Sequence, residues 1–338
     1  MSNITRNHKI DNMRALGMIL IFLAHSNPPY IVNYFRCFDV ILLVFLSNYM
    51  LDEKKVSTFQ SYKSKLVNRI KRILLPTYVF ITVFSLIEFV VYRIAKRPEL
   101  FGLHQIINSY LLCENSVGYI WIMKIYILNF VVAPFAFLII KKANSLIKTV
   151  LLLLGETLIY VTCYLLYQRV IPHNYITWLV FEEWILCFMA YFIVGQEALL
   201  NKTTNFWEKN GWLFWGVILL ITIVINKISN TPFDPVGGKR PPNVQYLSYG
   251  IFITLLLYKV MPNARVRLFE WISRESLMLY FIHPIFVLGL NAFNAIIPNT
   301  ILDNFIIKWI VIFLFSCVSW YFISNILTRF KFKSSFNH

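Results

Sequence analysis

Two residues of the first apolar segment have types and spacing that could do chemistry together. Arg14 and His25 are eleven positions apart. At about 100° per residue, eleven steps close on nearly three turns, so a helix puts both on one face, about 16 Å apart along its axis. The imidazole is a candidate general base or nucleophile, and the fixed cation would draw an anionic reactant toward it. The alternative is that Arg14 snorkels to lipid headgroups and His25 caps a helix end. Asp39 adds a carboxylate. With the turn between the first two apolar segments centred near residue 32, His25 and Asp39 stand seven residues to either side. They then reach similar depth in an antiparallel hairpin. A carboxylate there would orient the ring and raise its basicity, or would simply staple the hairpin.

Other polar residues stand where they are costly or concentrated. The stretch Asn68-Arg69-Ile70-Lys71-Arg72, just ahead of Pro76, reads as the end of a basic loop at the inner membrane face. Arg69 and Arg72 would suit phosphate groups, or anchor the chain on anionic lipid. Glu182 and Glu183 are adjacent within an apolar run. They point in different directions, so at most one lines a cavity, and Glu182 is taken as a candidate acceptor contact. Arg240, ahead of Pro241-Pro242-Asn243, would meet an acceptor at an outer helix mouth or form a rigid turn. His283-Pro284 falls mid-helix and reads as a kink. The five cysteines are scattered with no zinc-ligand spacing, so no metal is expected. No phosphate-binding loop, GxSxG elbow or HExxH motif is present.

The elements that must position these residues are membrane helices. Of 338 residues, 58% are hydrophobic and 14% charged, with a mean hydropathy of +0.62. Soluble domains carry about 25% charged residues, so a soluble enzyme, a disordered chain and a fibrous repeat are excluded. Ten apolar spans are expected, at about 13–26, 33–51, 73–95, 118–140, 149–169, 175–199, 211–228, 244–261, 276–297 and 304–327. The fold class is therefore an all-α polytopic membrane protein with about ten transmembrane helices in one bundle. Residues 1–338 would form a single transmembrane domain with no extra soluble domain.

With both termini cytoplasmic, the inner segments hold 21 Lys and Arg and the outer segments 9, which follows the positive-inside rule. That asymmetry accounts for most of the net charge of +16 without a nucleic-acid partner.

At these residues the sequence resembles acyltransferase family 3 of integral membrane acyltransferases, along nearly the whole chain. Ile10-Asp11-Asn12-Met13-Arg14-Ala15-Leu16-Gly17-Met18 through His25 resembles the family's first helix. Phe38-Asp39-Val40 to Ser47-Asn48-Tyr49 resembles its second, and Arg69-x-x-Arg72 followed by Pro76 its basic loop. Tyr119-Ile120-Trp121 resembles its H-x-W element. Ser273-Arg274-Glu275-Ser276 with Tyr280-Phe281-Ile282-His283-Pro284 resembles its late helix. Ala15 and Asn48 stand where the family more often has glycine.

The resemblance implies transfer of an acyl group, usually acetyl, from cytoplasmic acetyl-CoA to a carbohydrate hydroxyl at the far face of a bacterial plasma membrane. The acceptor would be a capsule, O-antigen, exopolysaccharide or wall polymer. It places Arg14, Arg69, Arg72 and Trp121 toward the donor and His25 with Asp39 at the reacting centre, as general base or as acetyl carrier. A carrier or flippase for lipid-linked sugars, without acyl chemistry, is the competing reading.

Overall fold

In the computed structural model the described residues are 6–51, 59–94, 102–113, 116, 119–143, 145–297 and 301–329. Among them the regular structure is helical and no strand forms. We label the helices α1 (His8–Ala24), α2 (Tyr30–Arg36), α3 (Asp39–Tyr49), α4 (Phe59–Ile94), α5 (Leu103–Tyr110), α6 (Ile122–Lys142) and α7 (Leu146–Arg169). These are followed by α8 (Tyr175–Thr203), then α9 (Asn205–Ile228), α10 (Val244–Val260), α11 (Arg267–Ile296) and α12 (Phe305–Arg329).

Lipid offers the backbone no hydrogen-bond partners, so a chain this apolar closes its own bonds within helices. Eight of the described helical segments are long and apolar enough to cross a membrane, with α2 and α3 counted as one. The helices α1 and α10, at 17 residues each, stand at the short end of the spanning range. Eight of the ten expected spans thus coincide with helices long and apolar enough to cross, and the first and eighth fall on the 17-residue helices α1 and α10. The exposed side chains of Ile147, Leu151, Leu154, Leu158 and Leu165 on α7 recur every three to seven residues, which marks a lipid-facing stripe.

Two expectations need correction. Residue 32 is not the centre of a turn, because it lies inside α2. The break between α1 and α2 instead falls at His25-Ser26-Asn27-Pro28-Pro29, where Asn27 has φ 57°. Equal spacing about residue 32 therefore no longer argues for an Asp39–His25 pair. The basic stretch 68–76 is not a loop either, since it lies within α4, which continues through Pro76. Arg69 and Arg72, three positions apart, share a face of that helix.

The chain forms two compact units. The first comprises Met1–Val32, Asn68–Met123 and Ala264–His338. Its centre is α1 against α11, with α12 packed on both. Phe22 meets the edge of Phe313 at 5.8 Å, and Phe80 of α4 stacks on Phe281 at 5.3 Å. Trp309 donates to the Ile19 carbonyl and Trp320 to Glu275. At the start of α1 a polar knot fixes the register. Arg6 pairs with Asp11 at 2.6 Å and Glu270 at 2.9 Å, and Ser273 donates to Asp11 at 2.7 Å.

The second unit comprises Asn33–Val67 and Lys124–Asn263. In it α3 packs against α8 and α10. Close approach needs glycine at two points. A Cβ on Gly250 would come within 2.1 Å of Ile41, and one on Gly195 within 2.4 Å of Asn129. Small residues at such contacts let membrane helices gain dispersion energy where no hydrophobic force drives them together. Lys124 is buried, and its Nζ lies 2.8 Å from Glu183 Oε2. A buried ion of either kind is tolerated in a bilayer only when paired in this way.

Candidate active site

His25 caps the C-terminal end of α1, where its backbone N–H donates to the carbonyls of Ile21 and Phe22. Its ring is half-buried. The Tyr119 ring lies over it, with centroids 3.9 Å apart and planes tilted by 33°. On the other chain segment that reaches this place, α11 brings the His283 ring to 5.2 Å from that of His25, tilted by 35°. Phe22 at 5.2 Å and the edge of Tyr280 at 5.4 Å complete an aromatic box around His283. The Tyr280 hydroxyl donates to the Tyr119 carbonyl, which ties the loop before α6 to α11. All of these residues belong to the first unit.

Two features of the box are unusual. Tyr119 has φ 61°, a conformation that L-residues with large side chains rarely adopt and that persists only where surroundings impose it. His283 is wholly buried, yet neither ring nitrogen makes a hydrogen bond of normal geometry among the described residues. Pro284 brings no N–H to the Tyr280 carbonyl. That carbonyl and the one of Leu279 lie beside the imidazole.

Arg14 is half-buried on α1, near enough to Asp11 to favour its charged form electrostatically. It lies eleven residues before His25, which follows the last residue of α1. Arg69 is half-buried and Arg72 exposed on α4. Trp121 is buried in the loop that carries Tyr119. These residues too lie in the first unit.

Asp39, Glu182 and Arg240 lie in the second unit. Asp39 is buried at the first turn of α3, where the helix dipole favours a carboxylate. Arg36 Nη1 lies 2.6 Å from its Oδ2 and Lys239 Nζ 3.4 Å from its Oδ1. The Val40 N–H also donates to Oδ1. Both oxygens are therefore engaged by cations that the sequence reading had counted only as surface charge. Glu182 accepts from the Tyr167 hydroxyl at 2.9 Å. It sits in a π-helical turn, Trp178–Leu186, which turns it and Glu183 to different partners. Arg240 follows Lys239 in a loop held by Asp234, which accepts from the Val236 and Gly237 N–H groups.

The chain matches the family model for the acyltransferase domain of acyltransferase family 3 over residues 7–329. It belongs to that family. No curated protein and no solved structure matches it. The family supports acyltransferase activity in a multi-pass membrane protein, and residues 7–329 take in every member of the box and all eight residues singled out by sequence. Sequence reasoning had set aside His283 as a kink residue. It quoted Tyr119 and Tyr280 only as parts of motifs. The one signal that could have raised them is that a histidine beside a proline mid-span is an ionisable group in hydrocarbon.

Proposed function

We propose that this acyltransferase moves an acetyl group from cytoplasmic acetyl-CoA to a hydroxyl of a cell-surface or lipid-linked carbohydrate, within a bacterial plasma membrane and with both termini cytoplasmic. The observation that carries the reading is the placement of His25. It follows the end of the helix that carries Arg14, and it is held in an aromatic box beside a second imidazole. Arg69 and Arg72, sharing one face of α4, suit the coenzyme's phosphates, as planar guanidinium groups do. Arg14 and Trp121 would guide the donor arm, and Glu182 and Arg240 would face the acceptor.

In the reaction the thioester C–S bond breaks, a C–O bond forms at the acceptor oxygen, and the hydroxyl proton ends on the coenzyme thiol. His25 is the group on this chain placed to handle that transfer, either by taking the hydroxyl proton directly or by carrying the acyl group. Asp39, neutralised by Arg36 and Lys239, is better read as the clamp that fixes the start of α3 than as the partner of the imidazole.

The test uses the purified protein in lipid nanodiscs with acetyl-CoA labelled in the acetyl group and lipid-linked carbohydrate extracted from native membranes. Release of coenzyme A matched by label in the carbohydrate is expected. Movement of the carbohydrate across vesicles with no coenzyme release would favour the carrier reading instead.

A further inference from the structure

We propose that His283 is a second catalytic imidazole, which takes the acceptor's proton while His25 carries the acyl group. The inference rests on the acyl-transfer reading above and deepens it by separating two roles that one histidine would otherwise share.

Three observations point there. First, His283 is wholly buried with no hydrogen bond of normal geometry at either ring nitrogen. Leaving a buried polar group without such a bond is costly. A kink at Pro284 needs only the proline, and a phenylalanine would fill the same aromatic box without that cost. Unsatisfied buried groups of this kind are expected where a reactant or water completes the bonding. Second, the two imidazoles are 5.2 Å apart between centroids. A hydroxyl about 3–3.5 Å from an acyl carbon on one ring reaches within about 2.6–3.2 Å of a base on a ring this near along a bent path. Third, the Tyr280 hydroxyl bond to the Tyr119 carbonyl and the imposed φ of 61° at Tyr119 hold the tyrosine ring over His25. Such strain is kept where it positions a reacting group.

The steps balance. A nitrogen of His25 attacks the thioester carbonyl, a C–N bond forms and the C–S bond breaks. The thiolate leaves with the proton that the acylated ring sheds, as free coenzyme A. The acceptor hydroxyl then attacks the acyl carbon. A C–O bond forms, the C–N bond breaks, and His283 takes the hydroxyl proton and returns it to the nitrogen of His25.

The experiment follows a single enzyme preparation in nanodiscs with labelled acetyl-CoA and water as the acceptor. For the natural protein we expect a burst of one coenzyme A per active site, then slow steady hydrolysis. His283→Phe and His283→Gln should keep the burst and the acyl label on the protein. They should also lower the steady rate per burst site about 10²-fold, the scale of general-base catalysis. The burst counts folded, competent sites, so a poor yield does not confuse the result.

A steady rate per site within threefold of the natural protein overturns the proposal, as does loss of the burst in both variants or absence of any burst in the natural protein. A burst that survives in His25→Ala overturns the acyl-transfer reading of His25 itself, whatever His283 does.

Discussion

The surroundings of Asp39 and those of His25 treat buried polar groups in opposite ways. Asp39 has two cations and a backbone N–H on its two oxygens, so both carboxylate oxygens are bonded within the protein. The aromatic box beside His25 treats His283 differently. His283 is buried with neither nitrogen in a hydrogen bond of normal geometry, beside the carbonyls of Leu279 and Tyr280, and Tyr119 is held in a strained conformation. A bilayer makes uncompensated polarity expensive. The contrast therefore separates a site built to stay folded from a site that leaves bonding capacity open for a reactant.

The sharpest way to break this comparison is to disturb each side and ask which property falls. Asp39→Asn removes one partner of a buried ion cluster and leaves two cations facing each other. It should cost about 3–5 kcal/mol of stability, read as a lower unfolding temperature in detergent, while the molecules that remain folded keep their turnover. A matching loss of turnover per folded molecule would place Asp39 in the chemistry.

Tyr119→Gly should do the reverse. Glycine accepts the positive φ at no steric cost, and the lost ring is already 38% exposed, so thermal stability should hardly change. Turnover should fall about 10²-fold, because His25 loses the ring that lies over it, an effect of the size expected from displacing a catalytic group. Unchanged turnover would show that the stack is packing only.

Changing Arg69 and Arg72 together to Gln should raise the KM for acetyl-CoA about tenfold. That is worth about 1.4 kcal/mol, within the range for hydrogen bonds to charged groups, with little change in kcat. An unchanged KM would return these arginines to a topological role.

The smallest effect is expected for Lys239→Met. At 3.4 Å Lys239 is the longer of the two cation contacts to Asp39, and its side chain is part-exposed. Its loss should cost no more than about 1 kcal/mol of stability, read as a small drop in unfolding temperature, and nothing in turnover. A larger loss than that of Asp39→Asn would show that the lysine carries the cluster.

The helices were legible because apolar runs bounded by charge and proline leave lipid-bound backbone no other solution. The same logic misplaced residues 68–76. Their density of Lys and Arg read as a loop, but a helix long enough to leave the membrane carries its basic turns with it, and Pro76 does not stop α4. The turn after His25 was readable in Asn27-Pro28-Pro29, yet hairpin symmetry about residue 32 assumed an unbroken second span. The break between α2 and α3 removes that symmetry.

That α1 carries Arg14 and ends just before His25 was legible because the apolar run between them is short and closes on Asn27-Pro28-Pro29. His283 was not, because 258 positions separate it from His25 and only the packing of α1 on α11 brings the rings together. Nor does local sequence reveal that Lys239 reaches back to Asp39, or that a π-helical turn redirects Glu182.

The most direct test of the account is turnover of acetyl-CoA by His25→Ala protein that accumulates in the membrane and unfolds at the same temperature as the natural protein. The account predicts that coenzyme A release falls at least about 10³-fold, within the range for losing a general base. Release within a fewfold of the natural rate would contradict it, because the acyl group would then leave its thioester without the imidazole at the end of α1.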